Sequence, residues 1–186
     1  MTLILLIIPS YHLRHLAPHS KQQPHLEEPI LAEQNHSSKV ICINKNNISK
    51  KFKADGMITS LDNVVLGVLT ADCAPIFIYD DTNKFVCCLH SGWRGTLNNI
   101  SRNAIKIFDK YNIKRNNLTA IIGPCLGKRN YEVDKNFEKK FIKKNHKYSK
   151  FFKNKNNSKS LFNLRGVIEY QLKALGVKKI HNIKRD

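Results

Sequence analysis

The sequence predicts an α/β fold built as one domain. Three observations carry this. Apolar, β-branched runs of strand length recur between residues 40 and 90, punctuated by Asp-, Asn- and Thr-bearing turns. Beyond residue 95 the apolar positions fall at steps of three and four, the spacing of a helix with one buried face. The chain has 186 residues, 41% of them hydrophobic, which is enough for one sizeable core, and it shows no internal repeat.

Taken in order, LILLII (3–8) reads as a first strand. Six apolar residues before Pro9 are too few to span a membrane. No basic residue precedes them and no small-residue cleavage site follows, so a secretory signal is not expected. Residues 9–35 are rich in His, Pro and Gln, without a clean period. His12, His15, His19 and His25 invite a metal reading, but an irregular surface segment is the expectation. Residues 1–33 are therefore set apart as an irregular or degraded N-terminal segment, and 34–186 as the domain. VICIN (40–44) is a strand, and KADGMITS (53–60) an Asp-Gly turn leading into a short extended piece. VVLGVLT (64–70), PIFIYD (75–80) and KFVCCLH (84–90) are further strands, the last two joined through DDTN as a hairpin.

Leu97, Ile100, Ala104, Ile107, Phe108 and Tyr111 predict one amphipathic helix over 95–111. LTAIIG (118–123) is a strand running into a Gly-Pro turn, and DKNFEKKFIKKN (134–145) a strongly charged helix. Residues 146–160 read as a polar, mobile Lys/Asn connection. FNLRGVIEYQLKALG (162–176) is a helix capped by Asn163 and ended by Gly176, and VKKIHNI (177–183) a last strand.

Charge is the unusual total: 32 Lys and Arg against 14 Asp and Glu give +18. Such an excess suits nucleic acid or an anionic surface. Here Lys and Asn are spread along the whole chain, and no aromatic-interleaved basic stripe accompanies them, so nucleic acid is not the expected partner. A phosphate-bearing small substrate would also gain from this field. Five Cys, an odd number without framework spacing, argue for a reducing compartment, and the cytoplasm is the expected location. Cys42, Cys87 and Cys88 lie inside strand patterns and read as packing.

Chemistry concentrates at strand ends. TADCAP (70–75) puts Cys73 in a turn before one hairpin strand, and LHSGWRGT (89–96) puts His90 at the end of the other. Pairing of the two strands brings these residues side by side, as one soft and one borderline metal ligand. A catalytic zinc takes three protein ligands and keeps a fourth position open. His36, just before a strand, is the candidate third ligand, though a lone His there is also an ordinary surface residue. Arg94 either holds an anion through its guanidinium fork, or serves structure by stacking on Trp93 or pairing with a carboxylate. In IGPCLGKRNYEVD (122–134), Gly123, Cys125 and Tyr131 are the candidates for substrate contact, with packing as the other role for Cys125.

TADCAP, HSGWRGT and IGPCLGKRNYEV, together with QNHSSKV (34–40) and KADGMIT, resemble the laccase-domain family, also called the polyphenol oxidase or purine nucleoside phosphorylase family. The resemblance runs from about Gln34 to Lys179. It implies a YfiH-like α/β architecture of packed mixed β-sheets flanked by helices. It implies a metal held by His36, Cys73 and His90, zinc with copper as the alternative. It implies phosphorolysis of adenosine or inosine, with methylthioadenosine and adenosine deamination beside it, and Cys73, His90 and Arg94 as the catalytic set. The expected partners are thus a purine nucleoside and phosphate, with no membrane; the oligomeric state is left open.

A copper polyphenol oxidase ranks second. The chain has 8 His with no His-x-His pair, and Met57 is its only internal Met, which suits one metal better than several coppers. A metal-free Cys73/His90 hydrolase is a third reading, and a non-catalytic basic binding protein a fourth. Three departures stand out against the family: Ser37 replaces a Gly, an upstream Arg-Gly-Gly turn is missing, and the chain stops at IKRD before an aromatic-Ser-x-Arg tail. A shortened homologue with little activity is the corresponding alternative.

Overall fold

The computed structural model describes residues 4–5, 8–9, 28–62, 64–82 and 84–183. His12, His15, His19 and His25 lie outside them. In chain order the elements are β1 (Ile4–Leu5), β2 (Ile8–Pro9), β3 (Ile30–Leu31), β4 (Val40–Ile43), β5 (Gly56–Thr59), β6 (Val65–Gly67), β7 (Leu69–Thr70), β8 (Ala74–Asp80) and β9 (Val86–Ser91). Then come α1 (Trp93–Leu97), α2 (Ile100–Lys110), β10 (Leu118–Ile122), β11 (Glu132–Asp134), α3 (Lys135–Lys144), β12 (Phe152–Asn154), β13 (Lys159–Phe162), α4 (Leu164–Ala174) and β14 (Lys179–Asn182).

A six-stranded mixed sheet in the order β14-β10-β8-β9-β5-β4 forms the centre. Its inner strands β10, β8, β9 and β5 are buried on both faces, which is why they read as continuous apolar runs. Alternation along each strand sorts the residues between two cores. Ile76 and Ile78 of β8, Cys87 and Leu89 of β9 and Ile58 of β5 pack under α2 and α4, against Ile105, Phe108, Val167 and Leu172. Phe77, Val86, Cys88 and Met57 point the other way, onto Val64, Leu66 and Val68. That second layer is the small sheet β2-β6-β3.

The hairpin forms as the sequence predicts, with Pro75 opposite His90 and Tyr79 opposite Val86. Asp80, 1% exposed, holds its turn by accepting from the backbone N–H groups of Thr82 and Phe85 at 2.9 and 2.7 Å. α4 is capped as expected: Asn163 accepts from Gly166 N at 3.0 Å, and Gly176 takes φ +89°.

Three expectations need correction. VVLGVLT is not one strand; it breaks after Gly67 into β6 and β7, which pair in different sheets. The helix over 95–111 is two helices. Asn99 sits between them at φ 57°, and its side chain caps α2 by accepting from Arg102 N at 3.0 Å. Asn tolerates that left-handed conformation and caps readily, so it interrupts an apolar spacing that runs straight through. Residues 146–160 are not a loose connection. They form a 3-10 turn at His146–Phe151, then β12 and the start of β13, in the sheet β11-β13-β12. Aromatics interleaved with the Lys and Asn do this. Tyr148 is 5% exposed, and Phe152 stacks on the fully buried Phe162 at 4.8 Å.

Candidate metal centre

One end of the central sheet gathers the chemistry-bearing residues. β4 and β5 are parallel, β9 runs against β5, β8 against β9 and β10 against β8. The starts of β4, β5 and β8 therefore share an edge with the ends of β9 and β10. His36 precedes β4, Asp55 immediately precedes β5, Cys73 immediately precedes β8, His90 lies at the end of β9, and Gly123 follows β10.

His36, Cys73 and His90 come together there, each offering one ligand atom, with all three atoms within 4.8 Å of one another. The two imidazole rings meet edge to face at 4.9 Å. A tetrahedral zinc with bonds of about 2.0–2.3 Å separates its donors by about 3.5 Å, so a small inward movement closes the set. Gly92 makes room for it. A Cβ at that position would lie 2.7 Å from Cys73 Sγ and 3.1 Å from His36 Cδ2. Any other residue would push the thiol and the imidazole apart, so the donors present, and the space kept for them, fit a metal.

Asp55 organises the two histidines. It is 1% exposed, and its Oδ1 accepts from His90 Nδ1 at 2.8 Å and from His36 N at 2.9 Å. Its Oδ2 accepts from both the backbone N and the hydroxyl of Ser37, each at 2.6 Å. Burial alone would raise this carboxyl; the bonds from Ser37 and His90 outweigh it and hold Asp55 below the usual range. The ionised carboxylate fixes the His90 proton on Nδ1 and leaves Nε2 bare for a metal. Burial pushes His90 below its ordinary value, against the pull of Asp55, so the ring is neutral at neutral pH. Ser37, where the family pattern has Gly, thus supplies two of the bonds that keep Asp55 charged. Sequence reasoning missed Asp55 because Asp-Gly is also ordinary turn chemistry. The available signal was an acid opening a strand whose residues are otherwise apolar.

Cys73 is half-buried. Burial, with the charges of Asp72 and Asp55, raises its thiol to about 11. Without a cation it is a neutral thiol, a poor nucleophile and a good ligand in waiting. Cys125 and Tyr131 lie beside it: the Cys73 charge, after burial, helps raise Tyr131 to about 12, and Leu126 N donates to Asp72 O at 2.9 Å. Gly123 packs on Pro75, where a Cβ would meet Pro75 Cγ at 2.7 Å. Arg94, exposed on α1, stacks its guanidinium over Trp93 at 5.0 Å and has no carboxylate partner among the described residues. Among those residues no helix is long and apolar enough to cross a membrane.

The chain is similar to known proteins in sequence and in fold. A purine nucleoside phosphorylase of Rickettsia prowazekii is 34% identical over 162 residues, covering 86% of this chain and 66% of that protein. One of Campylobacter jejuni is 29% identical over 157 residues, covering 83% and 65%. The chain thus spans about two thirds of the length of these relatives. In fold it is similar to the hypothetical protein YfiH of Bacillus licheniformis, with a TM-score of 0.77 at 24% identity over 83% of this chain and 62% of that one. YlmD of Geobacillus stearothermophilus matches with a TM-score of 0.76 at 23% identity, over 86% and 64%. The family model described as multi-copper polyphenol oxidoreductase laccase matches residues 14–186, every strand end at the metal centre included, and the chain belongs to that family.

Proposed function

We propose that this chain is a zinc-dependent purine nucleoside phosphorylase acting on adenosine and inosine, with methylthioadenosine as a further substrate and adenosine deamination as a second activity. The observation that carries the reading is the His36, Cys73 and His90 cluster, with Asp55 orienting one of its ligands. The names of the relatives supply the reaction class. Three protein ligands with room for a fourth group is the pattern of a catalytic zinc site. Zinc held there would supply a Lewis acid and an activated water. Arg94, without a carboxylate partner, offers its fork of N–H donors to phosphate or to the ribose side of the substrate. Gly123, Cys125 and Tyr131 border the Cys73 side and contact the nucleoside. In phosphorolysis a phosphate oxygen bonds to ribose C1′ as the glycosidic bond breaks, and the base leaves with the electron pair.

Copper in the same ligand set, with phenol oxidation, is the second reading, favoured by the description of the family model. Against it, a single three-ligand cluster occurs among the described residues, and Met57 is 1% exposed in the core rather than offered as an axial ligand. The raised Cys73 thiol likewise favours a ligand over a free nucleophile.

The test is incubation of the zinc-loaded chain with adenosine or inosine, with and without phosphate, and separation of products by mass. Free base and ribose 1-phosphate, formed only with phosphate and lost in His90→Ala, are expected. No product from the zinc-loaded parent, or turnover that survives zinc removal, overturns the reading. Inosine formed from adenosine supports the deaminase activity.

A further inference from the structure

Trp93 stands at the border of the metal centre. It follows Gly92, whose missing Cβ would sit 2.7 Å from Cys73 Sγ. Its indole packs on Phe137 of α3 at 5.2 Å. Lys140 lies three residues beyond Phe137 and so leaves α3 along the same edge. That register carries Lys140 Nζ to 5.8 Å from the centre of the Trp93 ring, while Arg94 Cζ stands 5.0 Å from the same centre.

Two cations therefore converge on one indole. Neither has a carboxylate partner among the described residues, whereas Lys53, Arg115, Lys135, Lys155, Lys173 and Lys179 all do. The ring attracts each cation separately, but the two repel each other. A doubly charged anion accepting from both turns that repulsion into attraction. Lys139, Lys143 and Lys144, exposed on the same helix, make no such ring contact among the described residues.

We infer that Lys140 and Arg94 form a phosphate clamp on Trp93, with α3 supplying the second half of a site that α1 begins. The identity of the anion rests on the phosphorylase reading; its place rests on the geometry. Lys140 then binds the phosphate that attacks the nucleoside, or the phosphate group of a nucleotide, beside the metal centre.

Trp93 is the only Trp of the chain, so its emission reports on the clamp directly. The zinc-loaded chain is titrated at constant ionic strength with inorganic phosphate and, separately, with adenosine 5′-monophosphate. A saturable change in emission is expected. Lys140→Met weakens the affinity about tenfold. Lys143→Met, with the same loss of charge on the same helix, changes it by less than about twofold. The tighter of the two ligands names the source of the phosphate. Equal affinity in Lys140→Met, equal weakening in Lys143→Met, or no saturable response in the parent overturns the clamp. Turnover separates this idea from the one it rests on. Phosphorolysis with an unchanged KM for phosphate in Lys140→Met removes the clamp and keeps the phosphorylase. Lys140-dependent binding without ribose 1-phosphate does the reverse.

Discussion

Asp55 touches no substrate in the proposed reaction, yet His36, Ser37 and His90 all donate to it. Asp55→Asn keeps the shape and loses the charge that fixes the His90 tautomer. Zinc affinity is expected to fall about 10- to 100-fold, measured by competition with a chelator, with the far-ultraviolet dichroism unchanged. Gly92→Ala places a methyl against Cys73 Sγ and should lower zinc occupancy in the same assay, again without unfolding the chain. The pH dependence follows from Cys73. From pH 7 to 9 the metal-free thiol is protonated, because burial and the neighbouring Asp72 charge raise it to about 11, while His90 is already neutral. Zinc must displace the Cys73 proton, so affinity rises with pH, by about tenfold per unit in this window. A flat profile in competition titrations at pH 7, 8 and 9 would remove Cys73 from the ligand set. At this scale the neighbourhood of Cys73 and His90 was readable, since a hairpin with a short turn dictates it. Asp55 was not, because the same two letters spell a turn on the surface and a charged hinge in the interior.

The same distinction holds for elements. Strands buried on both faces announce themselves as apolar runs, and the helices by their spacing. Their interruptions are written in single residues. Asn99 divides α1 from α2 without disturbing the apolar steps, and it matters because α1 carries Trp93 and Arg94. Asn99→Ala removes the cap and forces a Cβ-bearing residue without a local bond into the left-handed region, at a cost of about 2 kcal/mol in urea unfolding. Asn99→Gly, which tolerates that conformation, should cost only a few tenths. The segment 146–160 hid for a different reason. Its Lys and Asn dominate the composition, while Tyr148, Phe151 and Phe152 decide the structure. Tyr148 OH accepts from the buried Gln171 Nε2 at 2.9 Å, and that amide also donates to Thr96 O in α1 at 2.8 Å. The supposed linker therefore braces the helix next to the site.

For the molecule as a whole, the metal is expected to act on stability as well as chemistry. An ion that binds only the folded chain, present at about a thousand times its Kd, adds about 4 kcal/mol. For a chain of this size that corresponds to a rise in Tm of about 10 °C. Thermal melts with zinc, with chelator and in Cys73→Ala check it: the gain should vanish in the last two.

The order of the central sheet carries one more consequence. Four adjacent strands, β8, β9, β5 and β4, gather the constellation at the same edge: His90 within β9, Cys73 and Asp55 immediately before β8 and β5, and His36 in the segment leading into β4. A slip of one residue along β9 turns His90 to the opposite face. Metal affinity would thus report on strand alignment. A chain whose strands have found their true alignment would hold the ion, and a slipped copy would be told apart by its weaker zinc affinity in a competition titration.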